Sequence, residues 1–90
     1  MDVNKLVHLK KDYLLERVDG EITVYHPTLT TAVYLNETGA LIWELCDGSR
    51  TVSEIIDILS ELYPESRNQI AGDVKEIIAQ LIEQNIGELK

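Results

Sequence analysis

Two short runs in the first third of the chain, Tyr13 to Val18 and Glu21 to His26, mix apolar and polar residues with Asp19-Gly20 between them, and the second sets Ile22 and Val24 against Glu21 and Thr23. A period of two is the mark of a half-buried strand. Asp-Gly favours a two-residue type I′ turn, because both central positions need positive φ. The pair therefore predicts a hairpin with Val18 opposite Glu21, Arg17 opposite Ile22, Leu15 opposite Val24 and Leu14 opposite Tyr25. In that register Leu15, Ile22 and Val24 share the core face, and Glu16 and Thr23 lie on the other. Pro27 ends the second run, since it has no N–H for a ladder. A third run follows, Thr30-Thr31-Ala32-Val33-Tyr34-Leu35, rich in β-branched and aromatic residues. In a three-stranded meander this strand is an edge, and an edge exposes unpaired N–H and C=O groups to any other chain.

From residue 36 the period changes to that of helices. Asn36 is a good N-cap for a short helix from Glu37 to about Cys46, burying Ala40, Leu41, Trp43 and Leu45 in part. Asp47-Gly48 stops it, with Gly48 suited to the left-handed position beyond a helix end. Thr51-Val52-Ser53-Glu54 has the form of a capping box. The apolar stripe Val52, Ile55, Ile56, Leu59, Leu62 and Tyr63 runs up to Pro64. A last helix begins between Ser66 and Ile70 and carries Ile70, Val74, Ile77, Ile78, Leu81 and Ile82 on a face broader than a two-helix seam requires. Gly87 is the expected terminator, leaving Glu88-Leu89-Lys90 as a tail. Residues 1–12 lack a pattern and read as an irregular lead-in to one domain over 13–90. The fold class is α+β, a three-stranded antiparallel sheet followed by three helices, winged-helix-like in its order.

Composition narrows what such a domain does. Ninety residues, 44% hydrophobic and 27% charged, make one small core without room for a deep, lidded cleft. The net charge of −8 speaks against nucleic acid or an anionic membrane as partner, because both are bound through excess positive charge. Most of that acidity lies in residues 36–90, including the last helix, where Asp73, Glu76 and Glu83 accompany Arg67 and Lys75. This is the wrong sign for a recognition helix. No signal peptide or apolar run of membrane-spanning length is present, and the expected location is the cytoplasm.

The residues offer little for catalysis. His8, His26 and Cys46 are the nitrogen and sulfur ligands available, and no pair has metal-ligand spacing, so no metal or other cofactor is expected. Cys46 sits near a helix C-terminus, where the partial negative charge disfavours a thiolate, and it reads as a small buried hydrophobe. The serines lack a nucleophile motif, and the five glycines are too scattered to cradle a phosphate. The expectation is a protein that is not an enzyme.

The stretch Leu35-Asn36-Glu37-Thr38-Gly39-Ala40, followed by Cys46-Asp47-Gly48-Ser49-Arg50-Thr51-Val52-Ser53-Glu54-Ile55, resembles the PqqD-like family, named for a protein of pyrroloquinoline quinone biosynthesis. The resemblance continues through Ile56, Leu59 and Tyr63 to Asp73-Val74 and Leu81-Ile82, over roughly residues 13–90. The family ending of Gly-Leu-Leu type is only partly matched by Gly87-Glu88-Leu89. The resemblance implies a recognition element that holds the leader of a ribosomally made precursor peptide and presents it to a modifying enzyme, often a radical S-adenosylmethionine maturase. It also implies that the leader adds as a strand to the third strand and packs toward the third helix.

Strand addition obtains affinity from main-chain hydrogen bonds and specificity from side-chain pockets. The candidate peptide-binding residues are Thr30, Thr31, Ala32, Val33, Tyr34 and Leu35 on the edge, with Thr31, Val33 and Leu35 or their neighbours supplying the backbone pairing. Ile70, Val74, Ile77 and Leu81 are candidates for the groove wall, with Asp73 at its rim, although each apolar helix residue is equally a core candidate. Two other readings use the same features: a winged-helix-like regulator, and a scaffold that forms a homodimer through the same edge.

Overall fold

The Asp19-Gly20 turn takes the conformation its residues favour, with φ of +52° and +82°. It sets the register of β2 (Leu14–Val18) and β3 (Glu21–Tyr25), which pair Val18 with Glu21, Arg17 with Ile22, Leu15 with Val24 and Leu14 with Tyr25. β4 (Ala32–Leu35) adds antiparallel on the other side of β3, Val33 opposite Val24 and Leu35 opposite Ile22, completing the order β2-β3-β4. This strand is shorter than the run Thr30–Leu35 predicts. The reason lies in the preceding turn, where the His26 ring nitrogen Nδ1 accepts from the amides of Thr28 and Leu29 at 3.1 and 3.2 Å. Residues 27–30 are thereby folded back, and extended pairing starts only at Ala32. The computed structural model describes residues 1–90.

The lead-in is not irregular throughout. Val7–Leu9 forms β1, which pairs antiparallel with β5 (Gly87–Leu89), the segment expected to be a free tail. The two ends hide this from a local reading because each has only three residues and its partner lies at the opposite end of the chain. Val7 is fully buried among the helices, and its backbone bonds both ways to the loop at 48–50.

The helices are α1 (Glu37–Leu45), α2 (Val52–Leu62) and α3 (Arg67–Glu83), with a 3-10 turn at Pro64–Ser66 before the last. Asn36 Oδ1 accepts from the Gly39 amide at 2.8 Å to open α1. The capping box of α2 is complete: Thr51 Oγ1 accepts from Glu54 N at 3.1 Å and Glu54 Oε1 from Thr51 N at 3.0 Å. Three details differ from the sequence reading. α1 buries Gly39, Ala40 and Ile42 and half-buries Trp43 and Leu45, so of its expected inward residues only Leu41 turns outward, with Ile42 taking the buried place beside it. Leu62 and Tyr63 run off the buried stripe at the end of α2 and are 62% and 54% exposed. α3 is stopped by Asn85 at φ +62° rather than by Gly87. Asn tolerates the left-handed region, and Gly87 is instead used where β5 passes β1: a Cβ there would lie 3.2 Å from the His8 carbonyl oxygen.

α3 packs into two apolar clusters. Ile70, Val74 and Ile78 join Val7, Ile42, Val52, Ile55 and Leu59 between the helices. Leu81 joins Ile22, Val24, Val33, Leu35, Ala40 and Ile86 under the sheet. Much of the breadth of its apolar face is explained by this double burial. No helix is long and apolar enough to cross a membrane.

Candidate functional site

β4 has β3 on one side and no strand on the other. No turn or loop backbone bond reaches residues 32–35. Which of its groups point outward follows from the hairpin. A two-residue turn is closed by a hydrogen-bonded pair, here Val18 and Glu21, and bonded and non-bonded pairs then alternate along the ladder. Glu21, Thr23 and Tyr25 therefore turn their N–H and C=O toward β2, and Ile22 and Val24 toward β4. The partners Leu35 and Val33 spend their backbone groups on β3. Ala32 and Tyr34 are the β4 residues whose N–H and C=O face outward, so of the two alternatives left open by the sequence it is the neighbours of Thr31, Val33 and Leu35 that present the free groups. The side chains follow the opposite logic: Val33 and Leu35 are buried, whereas Tyr34 is 71% exposed on the outer sheet face.

Where β4 runs into α1, the surface is hollowed against α3. One recess of about 270 Å³ lies between Asn36 and Thr38 on one side and Gln69, Asp73, Glu76 and Ile77 on the other. A second, of about 190 Å³, continues from it across Thr38, Gln69 and Asp73 and is walled by Leu41, Leu59, Tyr63 and Ile70. The first is polar with a carboxylate at each end of one helical turn; the second is apolar at its base. Neither is lined by a Lys, Arg or His, and neither Asp73 nor Glu76 takes part in an ion pair.

The predicted site residues divide accordingly. Ala32 and Tyr34 present the open edge, and Val33 and Leu35 support it from the core side. Thr30 and Thr31 precede the strand, Thr30 exposed and Thr31 half-buried. Ile70, Asp73 and Ile77 line the recesses, but Val74 and Leu81 are consumed by the two clusters, at 0% and 1% exposure, and offer no surface. Thr38, Leu41, Tyr63, Gln69 and Glu76 belong to the recess walls and were not singled out from the sequence. Leu41 and Tyr63 carried a signal, being large apolar groups, Leu41 in the middle of α1 and Tyr63 at the end of α2; the polar three carried none.

The Cys46–Val52 block, the most distinctive motif of the chain, is a lock rather than a site. Asp47 Oδ1 accepts from Ser49 N at 2.9 Å and Ser49 Oγ at 2.6 Å, while Arg50 Nη1 donates to Asp47 Oδ2 at 2.8 Å and to the Leu45 carbonyl at 3.3 Å. The hydrogen bonds from Ser49, with help from Arg50, hold the Asp47 carboxyl below its ordinary pKa. Gly48, at φ +86°, donates its amide to the Val7 carbonyl, and the Arg50 carbonyl accepts from Val7 N, so the loop grips β1. Cys46 is buried and donates Sγ–H to the Ile42 carbonyl at 3.0 Å. Burial, and secondarily the Asp47 charge, pushes its thiol up to about 12, which leaves no thiolate for chemistry at neutral pH.

Against this geometry the comparisons with known proteins define a class. The family model described as Coenzyme PQQ synthesis protein D (PqqD) matches residues 21–86. The chain belongs to the PqqD family. A PqqA binding protein of Rahnella aquatilis is 44% identical over 46 residues, covering 51% of this chain and 47% of its own length. The chain thus spans about half the length of that curated relative. The fold is shared with TbiB1, solved in complex with the TbiA(beta) leader peptide, at a TM-score of 0.70 and 21% identity over 90% of this chain and 94% of that one. At this identity the likeness is one of fold.

Proposed function

We propose that the chain is a non-catalytic carrier that captures the leader of a ribosomally made precursor peptide by strand addition to β4 and presents it to a modifying enzyme. The observation that carries this reading is the open outer edge of β4 running directly into a recess against α3. In that arrangement the peptide backbone bonds to Ala32 and Tyr34, and its alternate side chains turn toward α3 and enter the recesses. Membership of a family with a PqqA-binding relative, and a fold shared with a chain solved with a leader peptide, support the same assignment. A small cytoplasmic protein of this kind supplies recognition, and the receiving enzyme, of which a radical S-adenosylmethionine maturase is the type the family resemblance implies, supplies chemistry.

The test is titration of the full chain with the precursor peptide encoded beside its gene, followed by calorimetry and by amide NMR. Binding at micromolar Kd or tighter, with the Ala32 and Tyr34 amides becoming protected from exchange, is the expected result. Absence of binding, or binding that leaves those two amides unprotected, removes the assignment. Protection that grows with protein concentration alone would instead identify a homodimer paired through the same edge.

A further inference from the structure

The two recesses also say what kind of peptide fits, an inference that rests on the strand-addition reading and deepens it. A strand laid along β4 leaves the sheet at Asn36 and must pass between Thr38 and the α3 residues Asp73 and Glu76. These two carboxylates stand one turn apart on the same helical face, at the rim of a groove with no cation of its own. The cations nearest in sequence are engaged or turned elsewhere: Arg67 is bonded to Asp57 at 2.8 Å, and Lys75 lies on another face of α3 and lines neither recess. A guest with an acidic side chain here meets repulsion from both carboxylates, reinforced by the overall charge of −8. Beyond the rim the groove deepens into the space walled by Leu41, Tyr63 and Ile70, which an apolar side chain fills while covering the exposed Tyr63 ring and Leu41.

We infer that the recognised segment is a cationic one: a Lys or Arg seated at Asp73 and Glu76, next along the groove to an apolar anchor in the Leu41–Tyr63–Ile70 recess. The positive charge supplies electrostatic complementarity and steering, and the apolar group supplies the desolvated contact. Both sit beside backbone pairing that is blind to sequence, so the two recesses are where this chain distinguishes one peptide from another.

The experiment is selection of a displayed random peptide library on the full chain, with parallel selection on Asp73→Lys/Glu76→Lys and on the milder Asp73→Asn/Glu76→Gln, each first shown to be folded by circular dichroism. The expected outcome is enrichment of peptides with Lys or Arg beside a large apolar residue. Their affinity for the charge-reversed variant should fall about tenfold and for the neutral one about fivefold, both effects shrinking as salt is raised. The charge-reversed variant should itself enrich acidic peptides. Selected peptides that compete for β4 but carry no charge bias, and whose affinity neither variant changes, would overturn the inference while leaving strand addition standing. Recovery of no peptide, or of peptides indifferent to loss of the Tyr34 amide, would overturn both.

Discussion

The outward phase of β4 makes a sharp prediction, because two adjacent residues should respond in opposite ways to the same substitution. Tyr34→Pro removes an N–H that faces solvent in the free protein, so its ladder with β3 is untouched. Val33 is already extended, as a residue before proline must be, and the lost phenol was largely exposed. Stability should therefore change by less than about 1 kcal/mol. Bound peptide, however, loses one hydrogen bond, about 1 kcal/mol, and its carbonyl is left without a donor. Together these amount to about 2 kcal/mol, or roughly thirtyfold in Kd. Tyr34→Ala keeps the N–H and controls for the side chain, whose cross-strand contact is worth at most about 1 kcal/mol. Val33→Pro does the reverse: it removes the donor to Val24 in the ladder, strands a buried carbonyl, and should cost about 2–3 kcal/mol of stability. For a domain of this size that lowers Tm by about 10 °C or more. Thermal unfolding by circular dichroism and calorimetric titration with a peptide obtained by selection read both quantities. A Tyr34→Pro protein that is folded and binds as well as its parent would refute the edge. Equal destabilisation by the two prolines would refute the hydrogen-bond phase derived from the Asp19-Gly20 turn.

Two predictions concern the lock. Gly48→Ala should destabilise by about 2 kcal/mol in urea denaturation, from left-handed strain of about 1 kcal/mol plus a Cβ that would sit 2.9 Å from His8 Nδ1. Adding His8→Ala should relieve only the second part, and full recovery would show that φ at residue 48 carries no strain. The raised thiol pKa of Cys46 predicts an alkaline weakness. The folded state retains a proton that the unfolded chain loses above the model-compound value of 9.0, so stability is full below that pH and falls as pH rises toward about 12. The slope approaches about 1.4 kcal/mol per pH unit. Cys46→Ala should flatten the difference between pH 9 and 12 relative to the parent, and parallel stability curves for the two proteins would count against the burial-driven shift.

Local chemistry made much of the fold legible. Asp19-Gly20 dictates its own φ angles and hence the whole β2–β3 register, and Asn36 and Thr51 announce helix starts that require nothing distant. What escaped was set by partners far along the chain. β1 and β5 are too short to show a period, and each is a strand only because the other is there. The breadth of the α3 face was visible, but whether it served a groove or two cores depends on where the sheet lies, and that decided the fate of Val74 and Leu81. At the candidate site the edge strand was legible and its hydrogen-bond phase stayed open between alternate residues, since that phase depends on how β4 registers on β3. Glu76 and Gln69 looked like any solvated helix residues until Thr38 was placed opposite them.

The grip of the 46–52 loop on the N-terminal strand separates two kinds of information that the chain carries. Residues such as Gly48, Asp47 and Arg50 are tied to one another and to Val7, so altering them threatens the scaffold. The groove positions at 73 and 76 on α3 bear on no internal ion pair and are free to vary without disturbing it. A signature built on the Asp-Gly-Ser-Arg-Thr-Val block will therefore gather chains of one architecture whatever cargo they hold. Sorting such chains by cargo would need a different yardstick, the sign of the charge one turn apart in the middle of their last long helix.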